Sequence, residues 1–229
     1  MLKDVVIIQQ KKNMVFNYNN YKEIADFIEK SNKKTKIIAI SKNHPIQDVT
    51  DAVKKGLRIF GENRVQEAQS KFLDLKKQYT DLELHLTGPL QTNKVKSALD
   101  LFDYFQTIDR EKLVKELKKY PKIINKKKFF IQVNIGKEEN KSGIQPEMAD
   151  NFIKFFRDEL QAEVYGLMCI PPNLHDPKPY FLELKKIATR NKIKNLSMGM
   201  SSDYKIGVVY DATYIRVGTV LFGERVNKP

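Results

Sequence analysis

The sequence predicts an α/β fold, a single (β/α)8 TIM barrel, and three observations carry that prediction. Short apolar runs bounded by polar residues or glycine recur eight times along the chain, as buried strands do. Segments with apolar residues at helical spacing lie between them, and strands that alternate with helices form parallel sheets with right-handed crossovers. The first run leads into Ser41-Lys42-Asn43-His44-Pro45, without the glycine-rich turn that usually follows the first strand of a doubly wound sheet. Eight such units in a chain of this length match a barrel.

The strands are expected, in order, at Lys36 to Ser41, Leu57 to Phe60, Glu83 to Thr87, Tyr104 to Ile108, Phe129 to Asn134, Val164 to Met168, Asn195 to Met198 (the weakest) and Thr213 to Val217. Helices are expected between them. Tyr21 to Lys30 carries Ile24, Phe27 and Ile28 on one face; Pro45 to Lys55 carries Ile46, Val49 and Val53. Glu62 to Lys76 follows, with Glu62 as a charge at its N-terminus. Asp109 to Lys119 opens with an aspartate and closes with lysines, which suits the helix dipole. Pro146 to Leu160, Pro179 to Asn191 and the shorter Ser202 to Asp211 complete the set. No Pro/Gly/Ser-rich linker divides the chain, so residues 1–229 read as one domain with an extra N-terminal segment over about 1–35.

Composition narrows the function classes. Hydrophobic residues make up 41% of 229, enough for a large core. No apolar run approaches a membrane span, and Val5-Val6-Ile7-Ile8 is too short for a secretory signal, so a cytoplasmic location is expected. The single cysteine, Cys169, lies in an apolar run and reads as a core residue; it permits no disulfide within the chain. His44, and His175 with Asp176, lack metal-ligand spacing. The net charge is +13, but the lysines are spread along the chain, and clusters such as Lys126-Lys127-Lys128 flank apolar stretches as solvated edges. Specific nucleic-acid binding is not expected.

In a barrel the active site lies at the C-terminal ends of the strands. Lys42 stands there after the first strand, where burial disfavours the ammonium form and frees an amine for Schiff-base chemistry. Gly61-Glu62-Asn63 follows the second strand and Gly88-Pro89 the third. Met198-Gly199-Met200-Ser201-Ser202 follows the seventh, and Gly218-Thr219 the eighth. Barrels often seat a phosphate in those last two loops, where glycines admit the ligand and hydroxyls and helix-start amides bind it. Arg216 lies on a buried strand and needs a partner: a carboxylate such as Glu62 or Glu224, or a ligand atom. His85 is a core histidine or a stacking contact to a ligand ring. An amine, a phosphate cradle and an inward arginine together fit pyridoxal 5′-phosphate (PLP).

The same residues carry a resemblance. Ala39-Ile40-Ser41-Lys42, Phe60-Gly61-Glu62-Asn63-Arg64-Val65-Gln66-Glu67 and His85-Leu86-Thr87-Gly88-Pro89-Leu90-Gln91-Thr92-Asn93-Lys94 begin it. Lys141-Ser142-Gly143, Leu196-Ser197-Met198-Gly199-Met200-Ser201-Ser202-Asp203, Arg216-Val217-Gly218-Thr219 and Phe222-Gly223-Glu224-Arg225 continue it. These blocks resemble the pyridoxal phosphate homeostasis protein family, whose members look like the alanine racemase N-terminal barrel (PLP fold type III) without the C-terminal β-domain. The resemblance implies that Lys42 forms the Schiff base with PLP, that Ser201, Gly218 and Thr219 hold its phosphate, and that Arg216 meets the pyridine nitrogen. Asn63 lies close to the cofactor face, and Met200 and His85 complete the cofactor-binding set. It implies a role in PLP homeostasis, no catalytic residue, apo PLP-dependent enzymes as partners, and a monomer. His44 stands where many members have a lysine, and the role of the 137–141 lysine loop stays open. Two other readings stand beside this one: a PLP-dependent racemase or decarboxylase, and a Schiff-base aldolase without PLP.

Overall fold

The computed structural model describes residues 16–173 and 176–224; the Val5–Ile8 patch, His175 and Arg225 lie outside the described residues. In chain order the elements are α1 (Tyr18–Lys30), β1 (Lys36–Ile40), α2 (Ile46–Lys54), β2 (Ile59–Glu62), α3 (Val65–Gln78), β3 (Glu83–Leu86), α4 (Val95–Leu101) and β4 (Tyr104–Ile108). There follow α5 (Glu111–Leu117), α6 (Pro121–Ile124), β5 (Lys128–Val133), α7 (Ala149–Leu160), β6 (Gly166–Cys169), α8 (Lys178–Arg190), β7 (Asn195–Met200), α9 (Tyr204–Val209), β8 (Tyr214–Val217) and α10 (Thr219–Phe222). The eight strands pair in sequence order, all parallel, and close when β8 pairs with β1. This is the expected TIM barrel.

Alternation along each strand sorts the side chains into two cores. Ile38, Phe130, Met168 and Tyr214 fill the barrel interior. Ala39, Phe60, Ile215 and Val217 face the larger apolar layer, which the helices cover with residues such as Val49, Phe72 and Phe156. On β8, Tyr214 points inward and Ile215 outward, so Arg216 points inward again. Its pairing with Ile38 sets it beside β1 at the seam where the barrel closes.

Helix α1 precedes the first barrel unit. Asn17 caps it, accepting from the Asn20 amide. Asn20 donates to the Val220 carbonyl at 2.7 Å, which ties α1 to α10 at the other end of the described chain.

Three local expectations change. Strand β2 runs to Glu62 and α3 starts only at Val65, so Glu62 is a strand residue and not a helix N-terminal charge. The reason is tertiary: Lys71 on α3 meets the Glu62 carboxylate and makes burial at the strand end tolerable. Helices α4, α6 and α10 are absent from the expected set; the first has a short apolar face of Val95, Ala98 and Leu99, and the other two span four residues each. Strand β7 extends through Gly199 to Met200, with Gly199 at φ 93°, a conformation that suits glycine.

Candidate functional site

A cavity of about 330 Å³ opens at the C-terminal ends of the strands. Its lining comes from β6, β7, β8, β1, β2 and β3 or the loops that follow them, so it sits off-centre toward the closing seam. Lys42 and His44 reach it from the β1 loop, Asn63 from the β2 loop, and Arg216, Gly218 and Thr219 from β8 and the start of α10. Met200, Ser201 and Ser202 reach it from the β7 loop. Seven of the sequence-predicted residues therefore meet here: Lys42, Asn63, Met200, Ser201, Arg216, Gly218 and Thr219.

His85 does not line the cavity. It is fully buried inside the barrel, where its ring stacks on Tyr104 at 4.1 Å and Nδ1 lies 3.0 Å from Gln106 Nε2. Its stacking partner is thus a protein ring. Ser202 lies in the loop after β7 that the sequence marks as a phosphate seat, whereas Ile40, Thr87 and Ile170 line the cavity without a role assigned from sequence. Thr87 adjoins the Gly88 turn, and Ile40 and Ile170 carry no sequence signal beyond hydrophobicity.

Arg216 is 5% exposed. Its guanidinium donates to Ser197 Oγ at 2.7 Å and to the Cys169 carbonyl at 2.8 Å. These are neutral acceptors, not the carboxylate of Glu62 or Glu224. Burial pulls its pKa down, but a guanidinium stays charged at neutral pH. Two bonds leave further N–H donors of the five for a ligand acceptor. Cys169 itself is buried, and burial pushes its thiol up to about 12, so it contributes its carbonyl and not a thiolate nucleophile.

Thr87 Oγ1 donates to Asn63 Oδ1 at 2.9 Å and so orients that amide. Gly88 makes room for it: a Cβ there would lie 2.4 Å from the Asn63 carbonyl oxygen. On the opposite side, Asp203 accepts from the Met200 amide at 2.5 Å and donates its own amide to the Met200 carbonyl at 3.0 Å. This tight turn presents the Ser201 and Ser202 hydroxyls at the start of α9. The first amides of α10 have no carbonyl within the helix to bond, and Thr219 adds a hydroxyl beside them. The result is a cluster of donors suited to an anion.

Around Lys42 the chain turns through Asn43, at φ 62°. Ser41 Oγ donates to Glu62 Oε1 at 2.7 Å, and the Asn43 amide donates to Glu67 Oε1 at 2.5 Å. Lys71 Nζ joins the two carboxylates, at 3.0 and 2.7 Å. Burial pushes the Glu62 carboxyl up, opposed by Lys71 and Ser41. Burial also lifts Glu67, but hydrogen bonds from Lys71 and Asn43 outweigh it and hold that carboxyl below its ordinary value. His44 packs against the Phe222 ring at 5.1 Å and lies 3.8 Å from Asp48.

The lysine loop after β5 stands apart from the cavity. Lys137 pairs with Glu147 and Lys141 with Glu138. Among the described residues, no three His, Cys, Asp or Glu side chains gather as a metal site, and no helix is long and apolar enough to cross a membrane.

The model of the family described as "Alanine racemase, N-terminal domain" matches residues 17–226. A pyridoxal phosphate homeostasis protein of Aquifex aeolicus is 37% identical over 200 residues, covering 83% of this chain and 87% of the relative. One from Haemophilus influenzae is 36% identical over 210 residues, covering 86% and 88%. Among solved structures, PipY of Synechococcus elongatus with PLP bound is 31% identical with a TM-score of 0.76, covering 89% of this chain and all of that one. The PLP-free PipY structure gives 33% and 0.81, covering 90% and 99%. Alanine racemase from Bartonella henselae shares the fold, with a TM-score of 0.71 at 16% identity over 90% of this chain and 58% of that one.

Proposed function

The chain belongs to the pyridoxal phosphate homeostasis proteins, on the alanine racemase N-terminal barrel, and from that premise we propose that it holds PLP on Lys42 and serves PLP homeostasis in the cytoplasm. The observation that carries this reading is the meeting of an amine, a hydroxyl cradle and a guanidinium in one cavity: Lys42, then Ser201, Ser202 and Thr219, then Arg216. PLP, when bound, supplies an aldehyde that condenses with an amine and a ring that withdraws electrons. The residues present fit those needs. Lys42 offers the amine. The Ser201, Ser202 and Thr219 hydroxyls, with the helix-start amides, donate to the phosphate. Arg216, already anchored by Ser197 and Cys169, would donate a hydrogen bond to the ring nitrogen without releasing the proton to it. That would keep the ring a weak electron acceptor. Asn63, oriented by Thr87, lines the same cavity and would border the ring. The cavity, about 330 Å³, is near the small end for ligand pockets, about 300–1,000 Å³.

The test is chemical trapping. The purified protein is expected to be yellow, and borohydride to leave a phosphopyridoxyl group on the peptide containing Lys42. An adduct on another lysine, or a visible band that survives Lys42→Ala, overturns the assignment. A colourless protein that takes up no PLP favours an aldolase instead.

Turnover is not expected. Racemisation needs a second acid or base opposite the amine. Among the described lining residues there is no tyrosine and no carboxylate; His44 is the one imidazole, packed on Phe222 beside Asp48. Amino-acid racemisation by the purified protein, abolished by Lys42→Ala, refutes this. The proposed recipients are apo PLP-dependent enzymes, served by a monomer. Transfer to an apo-enzyme faster than free release is the corresponding measurement.

A further inference from the structure

Lys71 is the only buried lysine among the described residues, 7% exposed, and the cofactor binding proposed above makes no use of it. A buried lysine is costly unless every proton finds a partner. Here all three do. Nζ donates to Glu62 Oε1 at 3.0 Å, to Glu67 Oε1 at 2.7 Å and to the Ser41 carbonyl at 2.8 Å.

The last of these bonds separates this arrangement from an ordinary core ion pair. A pair that served α3 alone would close on its own carboxylates. This one reaches onto the chain next to Lys42 from both sides. Before Lys42, Ser41 is bonded through its carbonyl to Lys71 and through its hydroxyl to Glu62. After Lys42, the Asn43 amide is bonded to Glu67, on the same Oε1 that Lys71 holds. Asn43 adopts a left-handed φ of 62°, a turn conformation that asparagine tolerates better than most L residues, and Glu67 fixes its amide there. Helix α3 thus grips residues 41 and 43 and leaves 42 projecting into the cavity.

We propose that Lys71 and Glu67 are positioning residues for Lys42, a charged clamp that sets the direction of its side chain and thereby how fast the bound cofactor is released. The proposal rests on the reading of Lys42 as the cofactor-bearing amine. Misplacing a reacting group by about 1 Å can cost about a hundredfold in rate, so a loosened clamp is expected to register in exchange at Lys42.

The test uses three variants of the full chain. Glu67→Ala removes the grip on Asn43. Glu67→Gln keeps an oxygen for both donors. The double variant Glu62→Gln with Lys71→Met removes the two buried charges together and frees the Ser41 carbonyl, while the part-exposed Glu67 carboxylate keeps the Asn43 amide. Two readouts are taken beside the melting temperature: the PLP release rate, and the rate of reductive methylation of Lys42 by formaldehyde and cyanoborohydride in PLP-free protein, scaled to exposed Lys77. Release is expected to speed up about tenfold or more in Glu67→Ala and in the double variant, with Lys42 methylation rising about threefold. Glu67→Gln is expected to restore most of the loss. Wild-type release and methylation in folded variants, even with a lowered melting temperature, overturn the proposal and leave a purely structural ion pair. Should the double variant not fold, Glu67→Ala decides alone. If Lys42 proves not to carry PLP, the methylation rates still report whether the clamp holds the Lys42 side chain.

Discussion

His85 lies flat against Tyr104, their ring centroids 4.1 Å apart and their planes 6° from parallel, inside the barrel and outside the cavity lining. Tyr104 and Tyr214, which also contacts the imidazole, begin β4 and β8, so this cluster belongs to the end of the barrel opposite the site. The Gln106 amide hydrogen-bonds Nδ1 of the ring at 3.0 Å.

Burial holds His85 well below the ordinary imidazole pKa, with the charges of Lys36 and Lys76 adding to it. The folded state therefore binds fewer protons than the unfolded chain at acid pH. Stability from the neutral ring is present above about pH 6.5 and is lost as pH falls below it. His85→Gln is expected to destabilise the protein at pH 8, and the deficit is expected to shrink toward pH 5. Urea unfolding of both proteins across that range checks it; a deficit constant with pH contradicts the neutral buried ring.

Ser201→Ala combined with Thr219→Val removes two hydroxyls from the proposed phosphate seat. Hydrogen bonds to a charged group contribute about 1.5–3 kcal/mol each. Affinity for PLP is expected to fall at least tenfold, while affinity for phosphate-free pyridoxal changes little. Equal losses for both ligands, measured by absorbance titration, place the phosphate elsewhere.

Gly88→Ala puts a methyl 2.4 Å from the Asn63 carbonyl oxygen and 2.7 Å from its Cα. The backbone of Asn63 must shift, at a cost of about 1–3 kcal/mol. PLP affinity is expected to fall with stability, and Asn63→Ala is expected to cost less in the Gly88→Ala background than in the wild type. Strict additivity in that double-mutant cycle argues that the two residues act separately.

Lys71→Met, without a change at Glu62, leaves a buried carboxyl that burial already pushes up and removes the charge opposing that push. Its pKa is expected to climb further. A carboxyl with a raised folded pKa loses stability as pH rises, by at most about 1.4 kcal/mol per pH unit between the unfolded and folded values. The deficit of Lys71→Met is therefore expected to grow from pH 5 to pH 8, the reverse of the His85→Gln trend. Unfolding curves at both pH values distinguish the two.

Much of this was legible in the chain because period-two and period-3.6 patterns report local burial. All eight strands fall within two or three residues of their expected places. Helix α4 escaped because its apolar face spans barely one repeat before Leu101. The expected second strand stops two residues short because Gly61 and Glu62 have the composition of a strand end, and only the bond from Lys71, nine residues on, lets the carboxylate stay buried in β2.

Sequence alone determined the alternation that makes a barrel, the lysine at the end of its first strand, and the serines, threonine, glycine and arginine at its last two strands. It also determined that Arg216 points inward. Tertiary structure alone decided which of these residues share a cavity, that His85 stacks on a tyrosine away from it, and that Arg216 rests on neutral acceptors. It also decided that Lys71 grips the chain on both sides of Lys42. The reason is range: a periodic pattern records which face of one element is buried. The partner of a buried polar group comes from another element, and here several of them meet only once β8 closes onto β1.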